Sequence, residues 1–173
     1  PAPQEAAPFQ GKVPSIMIQG LVWGRSAQVL WAPGAEVNFA SMPFIQKCGL
    51  ERHLIPSAHA VRYADGSQGR IVGEIDLPVH ILTEKKPVRV RLRCLVAPLA
   101  SDFDLILGMP FNRQYKPMPT EDYSTIQLAP PGAAERSPCL PIAWDQRRSQ
   151  ATGLNLVTAE ELDQMWEQGE AEW

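Results

Sequence analysis

The chain has 173 residues, of which 45% are hydrophobic and 20% are charged, and its formal net charge is −3. That length fits one domain of ordinary size with tails, and the apolar fraction is sufficient for a packed core, which excludes wholesale disorder. The acidic balance argues against nucleic-acid binding by the domain itself, and no apolar run is long enough for a membrane-spanning helix.

Residues 1–14 are rich in Pro and Ala and predict an extended leader. From 15 to 128, short β-branched and aliphatic runs alternate with Gly, Pro and Asp, which is typical of a small all-β barrel or sandwich. The predicted strands lie at 15–22, 27–31, 57–63, 69–82, 88–97, 105–107 and 124–128. In the run at 88–97, three arginines alternate with apolar residues, and a solvated strand face is favoured over a phosphate-binding ridge.

One helix is predicted inside this domain, at residues 41–50. Ser41 is a capping residue, Pro43 falls in the first turn, and Gly49 marks the end. Residues 32–40 are predicted to be a tight turn at Pro33-Gly34 followed by the entry to this helix.

Two further segments follow the predicted barrel. Four prolines between 130 and 141 predict a linker over 129–153 that does not pack as regular structure. Thr158 and Glu161 form a capping box that predicts a short helix within 154–173. One side of that helix is apolar, so we expect it to dock on the core domain or on a partner; its apolar members are Leu162, Met165 and Trp166.

The cysteines predict neither a disulfide framework nor a metal site. Cys48, Cys94 and Cys139 are widely spaced, form no C-x-x-C pair, and have no histidine at metal-ligand spacing. We expect no cofactor. Free cysteines fit a reducing compartment, so we expect an intracellular, cytoplasmic protein. Because the chain begins without Met, we also expect it to be a piece of something longer.

Four short motifs follow one another in a fixed order along residues 15–128. A hydrophobic strand leads to the tight turn and to Asn38-Phe39, the helix ends in Gly49-Leu50, a mid-chain hairpin carries Ala64-Asp65-Gly66-Ser67, and Ile106-Leu107-Gly108 lies within residues 104–109. This order resembles the retropepsin-like aspartic proteases, particularly those in the polyproteins of LTR retrotransposons of the Ty3/gypsy type and of retroviral-like elements.

The resemblance implies a small closed β-barrel with one short helix, and a site made of two aspartates that share one proton and activate a water. A chain with one such turn must form a C2 homodimer, which would hold an extended peptide or polyprotein segment under a β-hairpin flap. It places the protein in the cytoplasm or in a virus-like particle. It assigns the catalytic turn to Ala32, Pro33 and Gly34, substrate binding to Ala35, Ala64, Asp65, Gly66 and Ser67, and a structural role behind the turn to Ile106, Leu107 and Gly108.

The sequence departs from the family pattern at the decisive position. Ala32 stands where the family has Asp, and Pro33 stands where it has Ser or Thr. A methyl group cannot carry the shared proton, and the acids at positions 36, 65, 102 and 104 are not placed to replace it. We therefore expect a proteolytically inactive domain that still dimerises and still holds peptides.

Two alternatives stay open at this point. Ala32 could be an engineered replacement in an active polyprotein-processing aspartic endopeptidase, because one sequence does not separate natural loss from a knock-out. The domain could also be a co-opted scaffold that recruits a partner through its C-terminal helix.

Overall fold

Six strands of this chain close into a barrel around the hydrophobic core. The computed structural model describes residues 16–57, 61–62, 68–69, 71–99, 103–143 and 146. The strands are β1 (Ile16–Val22), β2 (Arg25–Trp31), β3 (Asn38–Ser41), β4 (Val61–Arg62), β5 (Gln68–Gly69), β6 (Gly73–Ile81), β7 (Val88–Ala97), β8 (Leu105–Leu107), β9 (Met118–Pro119), β10 (Ile126–Leu128) and β11 (Ser137–Pro138). The order around the barrel is β1-β2-β8-β3-β7-β6, so the predicted closed β-barrel is confirmed.

Two of the predicted segments lie at the ends of the chain. The leader at 1–14 and the helix within 154–173 lie outside the described residues. Among the described helices, none has the length and apolar character needed to cross a bilayer.

Alternating side chains explain how the six strands enclose one core. In β7 every second residue from Val88 to Cys94 is buried, and the three arginines between them are exposed. The β1–β2 hairpin turns at Trp23 and Gly24, whose φ values of 50° and 79° are those of a tight hairpin turn. Inward-facing residues of all six strands therefore share one core, as the period of two predicts.

The order of β8 within the barrel brings two distant parts of the sequence together. β8 pairs in parallel with β2 and antiparallel with β3, so that Trp31 lies beside Leu107 and Phe39 beside Ile106. β3 was expected to be the entry to the helix, and it forms a strand because its other edge pairs in parallel with β7. The ends of β2 and β8 therefore meet at one end of the barrel.

Two short α-helices lie against this barrel. The predicted helix forms as α1 (Met42–Lys47), buries Phe44 and Ile45, and is followed by Gly49 in the left-handed region at φ 69°. A second helix, α2 (Met109–Tyr115), begins directly after Gly108 and buries Phe111. The sequence predicts one helix in this domain and does not reveal α2, because seven residues with a Pro in the first turn give little helical periodicity.

The predicted linker over 129–153 is wrong for part of its length, because residues 137–142 belong to the folded domain. β11 pairs with β10, and Cys139 and Ile142 are buried. The Ile142 N–H donates to the Met17 carbonyl at 2.8 Å, and the Gln19 N–H donates to the Leu140 carbonyl at 3.0 Å. Proline does not prevent this pairing, since the residues between the prolines supply the N–H donors.

The packed segment predicts a difference between two truncations. Ending the chain after Leu128 removes the buried side chains of Cys139 and Ile142, and each buried aliphatic side chain stabilises by about 1.5–3 kcal/mol. Because a domain has only ~5–15 kcal/mol in total, we expect the shorter chain to lose cooperative thermal unfolding or to unfold at a clearly lower temperature. A chain that ends after residue 146 is the control and should unfold like the parent when both are measured at 500 mM salt, where charge interactions of the acidic C-terminal residues are screened; equal midpoints for both truncations would contradict the assignment.

A buried histidine on β6 links folding to pH. His80 is 4% exposed and lies opposite Arg89 of β7. Burial, and secondarily the positive charge of Arg89, lower the pKa of His80 below its ordinary value of 6.5. The folded chain therefore resists a proton that the unfolded chain accepts.

We expect this histidine to reduce stability as the pH falls. Above pH 6.5 both states are neutral at this residue, and below it the unfolded state binds more protons, so the free energy of unfolding decreases until the lowered folded-state pKa is passed. The His80→Gln variant should show a smaller decrease between pH 7.5 and pH 5 in denaturant unfolding. The same decrease in variant and parent would rule out His80 as its source.

Candidate active-site turn

A tight turn at the end of β2 holds the residues that the sequence assigns to the catalytic position. The Ala32 N–H donates to the Leu107 carbonyl at 2.9 Å, which continues the β2–β8 pairing by one residue. The Ala35 N–H then donates to the Ala32 carbonyl at 2.9 Å and closes the turn. Pro33 and Gly34 lie at the corner and are exposed. Both backbone polar groups of Ala32 are thus engaged, and its side chain is a methyl group.

The motif at Ile106, Leu107 and Gly108 lies directly behind this turn. The Met109 N–H donates to the Ala35 carbonyl at 2.8 Å, so the start of α2 is tied to the end of the turn. A Cβ atom on Gly108 would lie 2.4 Å from the Val37 oxygen and 2.7 Å from the Ala35 oxygen. Only glycine permits this approach of two backbone segments.

Asn38 connects the turn to the barrel wall, a role that the sequence analysis did not assign. It is buried at 3% exposure, and its Oδ1 accepts the Gly108 N–H at 2.8 Å. Its Nδ2 donates to the Arg93 carbonyl of β7 at 3.4 Å. The sequence signal for this role was a polar side chain at the start of a buried strand. A buried amide must find hydrogen-bond partners, so such a side chain is expected to link neighbouring segments.

Trp31 anchors the last residue of β2 to α2. Its indole Nε1–H donates to Asn112 Oδ1 at 2.8 Å, and the ring is half-buried against the core. This tryptophan therefore makes a polar contact with α2 as well as packing against the core. The strand before the turn and the helix behind it are therefore coupled by a side-chain hydrogen bond.

The described carboxylates nearest in sequence do not replace an aspartate at position 32. Asp104 is buried, and its Oδ2 accepts the Gln28 N–H at 2.8 Å. Gln28 precedes Ala32 by four strand residues, which is about 13 Å along β2. Glu36 lies beyond the turn with an exposed side chain. Asp65 and Asp102 lie outside the described residues.

The structure describes only one of the residues that the resemblance assigns to substrate binding. β4 pairs antiparallel with β5, with Val61 opposite Gly69. Ala64, Asp65, Gly66 and Ser67 fall between these strands, outside the described residues, so their role in substrate binding stays a prediction. The other assigned residue, Ala35, is half-buried in the turn and uses its backbone to hold α2.

Comparison with solved structures identifies the architecture. The retroviral protease-like domain of Ddi1 from Leishmania major matches with a TM-score of 0.53 at 19% identity, over 76% of this chain and 94% of that domain. This chain has a retropepsin-like fold. A retropepsin-like aspartic protease from Rickettsia conorii matches with a TM-score of 0.47 at 16% identity, over 73% of this chain and 83% of that protein. No protein-family model and no curated protein sequence matches the chain.

The backbone approach at Gly108 of this retropepsin-like barrel predicts a large effect for a small substitution. Gly108→Ala would push a methyl group into two carbonyl oxygens of the turn, and overpacking of this kind costs about 1–3 kcal/mol. Gly34→Ala is the matched control, because a Cβ there meets no atom within 4 Å. Denaturant unfolding should show a clear loss of stability for Gly108→Ala and a change within ~0.5 kcal/mol for Gly34→Ala. Equal effects at the two positions would show that the close approach is absent in solution.

Proposed function

We propose that this protein is an aspartic-protease-type domain of a retroelement polyprotein that is proteolytically inactive with Ala32 at the head of its turn. The observation that carries the proposal is the contrast between the turn and its side chain. The hydrogen bonds to Leu107 and from Ala35 give the turn a defined backbone, whereas its first residue ends in a methyl group.

The chemistry of this class of site explains why one side chain decides activity. Two carboxyl groups held close together cannot both be ionised, so they share a proton and titrate as a pair. The ionised member removes a proton from the attacking water, and the protonated member polarises the peptide carbonyl. A methyl group can do neither. Pro33 also lacks a hydroxyl and an N–H, so the position after Ala32 supplies no donor.

The proposal includes a homodimer that holds an extended peptide. The described residues contain one turn of this type, and a C2 axis beside the turn would bring two copies together. A strand-like peptide lying between two such barrels would be bound through main-chain hydrogen bonds, which do not require a carboxylate at position 32. Loss of cleavage and retention of binding are therefore compatible.

A second candidate function is an active polyprotein-processing endopeptidase in which Ala32 is an engineered replacement. The hydrogen bonds that support the turn favour this second candidate, because they hold the backbone of the turn in place although the side chain at position 32 is only a methyl group. Pro33 favours natural loss instead, since a knock-out substitution at position 32 would not account for it.

We expect no cleavage of a polyprotein substrate or of a peptide library by the parent chain between pH 4 and pH 7. Under natural loss, Ala32→Asp alone should also fail to cleave, because Pro33 remains at the neighbouring position. Cleavage by Ala32→Asp that a transition-state mimic of the statine type blocks would instead establish the second candidate. Ala35→Asp is the matched control, since it adds the same carboxylate three residues away.

The oligomeric state must be measured in the same samples. Sedimentation should give a dimer for both the parent and Ala32→Asp, because two carboxyl groups beside the C2 axis would share one proton and so would not repel each other as two full charges. A monomer at every accessible concentration would refute the dimeric part of the proposal. Cleavage by the parent chain itself, sensitive to the same mimic, would refute the inactivity.

A further inference from the structure

The barrel domain and the C-terminal segment carry opposite charges. Residues 16–143 contain 13 Lys and Arg against 11 Asp and Glu. Residues 158–173 contain six Asp and Glu and no Lys or Arg. The net charge of −3 therefore combines a weakly basic domain with a strongly acidic C-terminal segment. Oppositely charged surfaces attract each other in water at low ionic strength.

Three basic residues of the barrel domain lie on neighbouring segments around the end of α2; we call them the basic patch (Arg91, Lys116 and Arg136). The backbone N–H of Arg91 donates to the Tyr115 hydroxyl at 3.3 Å, and Lys116 follows Tyr115 directly. Arg136 Nη1 donates to the Lys116 carbonyl at 2.8 Å. These contacts join β7, the end of α2 and the segment before β11 into one surface.

No described carboxylate forms an ion pair with any member of the basic patch. Several acids on the adjoining segments pair with other cations: Arg93 binds Glu74 at 3.1 Å and Asp76 at 2.8 Å. Glu135, adjacent to Arg136 in the chain, binds Lys85 at 2.9 Å. Arg91 lies opposite Pro78 in the β6–β7 register, where no acid is available. No ion pair among the described residues therefore offsets the positive charge of the patch.

An exposed apolar residue borders the basic patch. Met118 is 52% exposed and lies two residues after Lys116. It pairs with Gln127, whose carbonyl accepts from Arg136 Nη1 at 3.4 Å. Cations next to an exposed methionine fit a ligand that combines acidic groups with an apolar stripe.

We propose that the acidic segment at residues 158–173 of this chain docks on the basic patch. Its predicted helix carries Leu162, Met165 and Trp166 on one side, and Glu161 and Asp163 flank that stripe at helical spacing. The stripe lies on Met118 and the flanking acids face the cations. The 14 residues at 144–157 can span up to about 45 Å, which exceeds the ~30 Å width of a domain of this size.

Amide hydrogen exchange in the full 173-residue chain tests this docking. A helix of this length is marginal alone, so slow exchange in 158–173 reports docking rather than intrinsic helicity. We expect slowed exchange at 20 mM salt and its loss at 500 mM salt, where the Debye length is only a few ångströms. Arg91→Glu/Lys116→Glu should speed exchange of the segment about tenfold, as expected for several weak surface ion pairs reversed together.

Lys47→Glu/Lys86→Glu is the matched control, because it makes the same change of charge at two exposed lysines outside the basic patch. It should leave exchange of the segment as in the parent, and barrel amides should stay protected in both double variants. Adding Glu161→Lys/Asp163→Lys to the patch variant should restore slow exchange. The proposal is overturned if the segment exchanges at the unfolded rate at 20 mM salt, as it would if only a partner protein bound it, or if both double variants behave alike.

Discussion

The contact on which the site depends is the approach of two backbone segments at Gly108. The oxygens of Ala35 and Val37 lie where a side chain would begin, so the turn after β2 can rest directly on the start of α2. The Asn38 Oδ1 atom then accepts a hydrogen bond from the Gly108 N–H. The shape of the turn is therefore fixed by backbone contacts and by one amide, and the side chain at position 32 contributes little to it.

This separation between shape and chemistry explains how a retropepsin-like barrel can exist without a carboxylate at its turn. Ala32 is held through its N–H and carbonyl, which every residue except proline possesses. A substitution at this position therefore changes the chemistry of the side chain without disturbing the hydrogen bonds that build the turn. The shape of the turn and the chemistry of its first side chain depend on different atoms of the same residue.

Much of the barrel could be predicted from the sequence because its signals are local. The alternation in β7 and the Ser41 and Gly49 signals around α1 are set by neighbouring residues. The structure confirms the alternation and the position of the helix, with Ser41 at the N-cap position but without a side-chain capping hydrogen bond. β3 and the 137–142 segment could not be predicted in this way. β3 is a strand because β7 and β8 lie on its two edges, and Cys139 is ordered because Ile126 and the barrel lie beside it. Such distant partners leave no local pattern.

The candidate site was likewise predictable only in part. The resemblance implied the juxtaposition of the Ala32 turn with the Leu107-Gly108 segment, and the structure brings them together. The hydrogen bond from Trp31 to Asn112 was beyond prediction, since it joins residues 81 positions apart across α2, a helix that the sequence barely signals. Asn38 was visible as a motif residue, but its partner could be named only once β3 and β8 were paired.

The segment at 137–142 also changes what β1 can offer to other molecules. The Met17 carbonyl and both polar backbone groups of Gln19 are used within the chain, by Ile142, Leu140 and Leu82. This half of β1 therefore presents no open row of donors and acceptors on which a foreign strand could grow, and such open rows are a common route to aggregation. Any sheet that continues from one molecule into the next must start elsewhere, and β9, the outer strand of the small β11-β10-β9 sheet, has a free edge among the described strands.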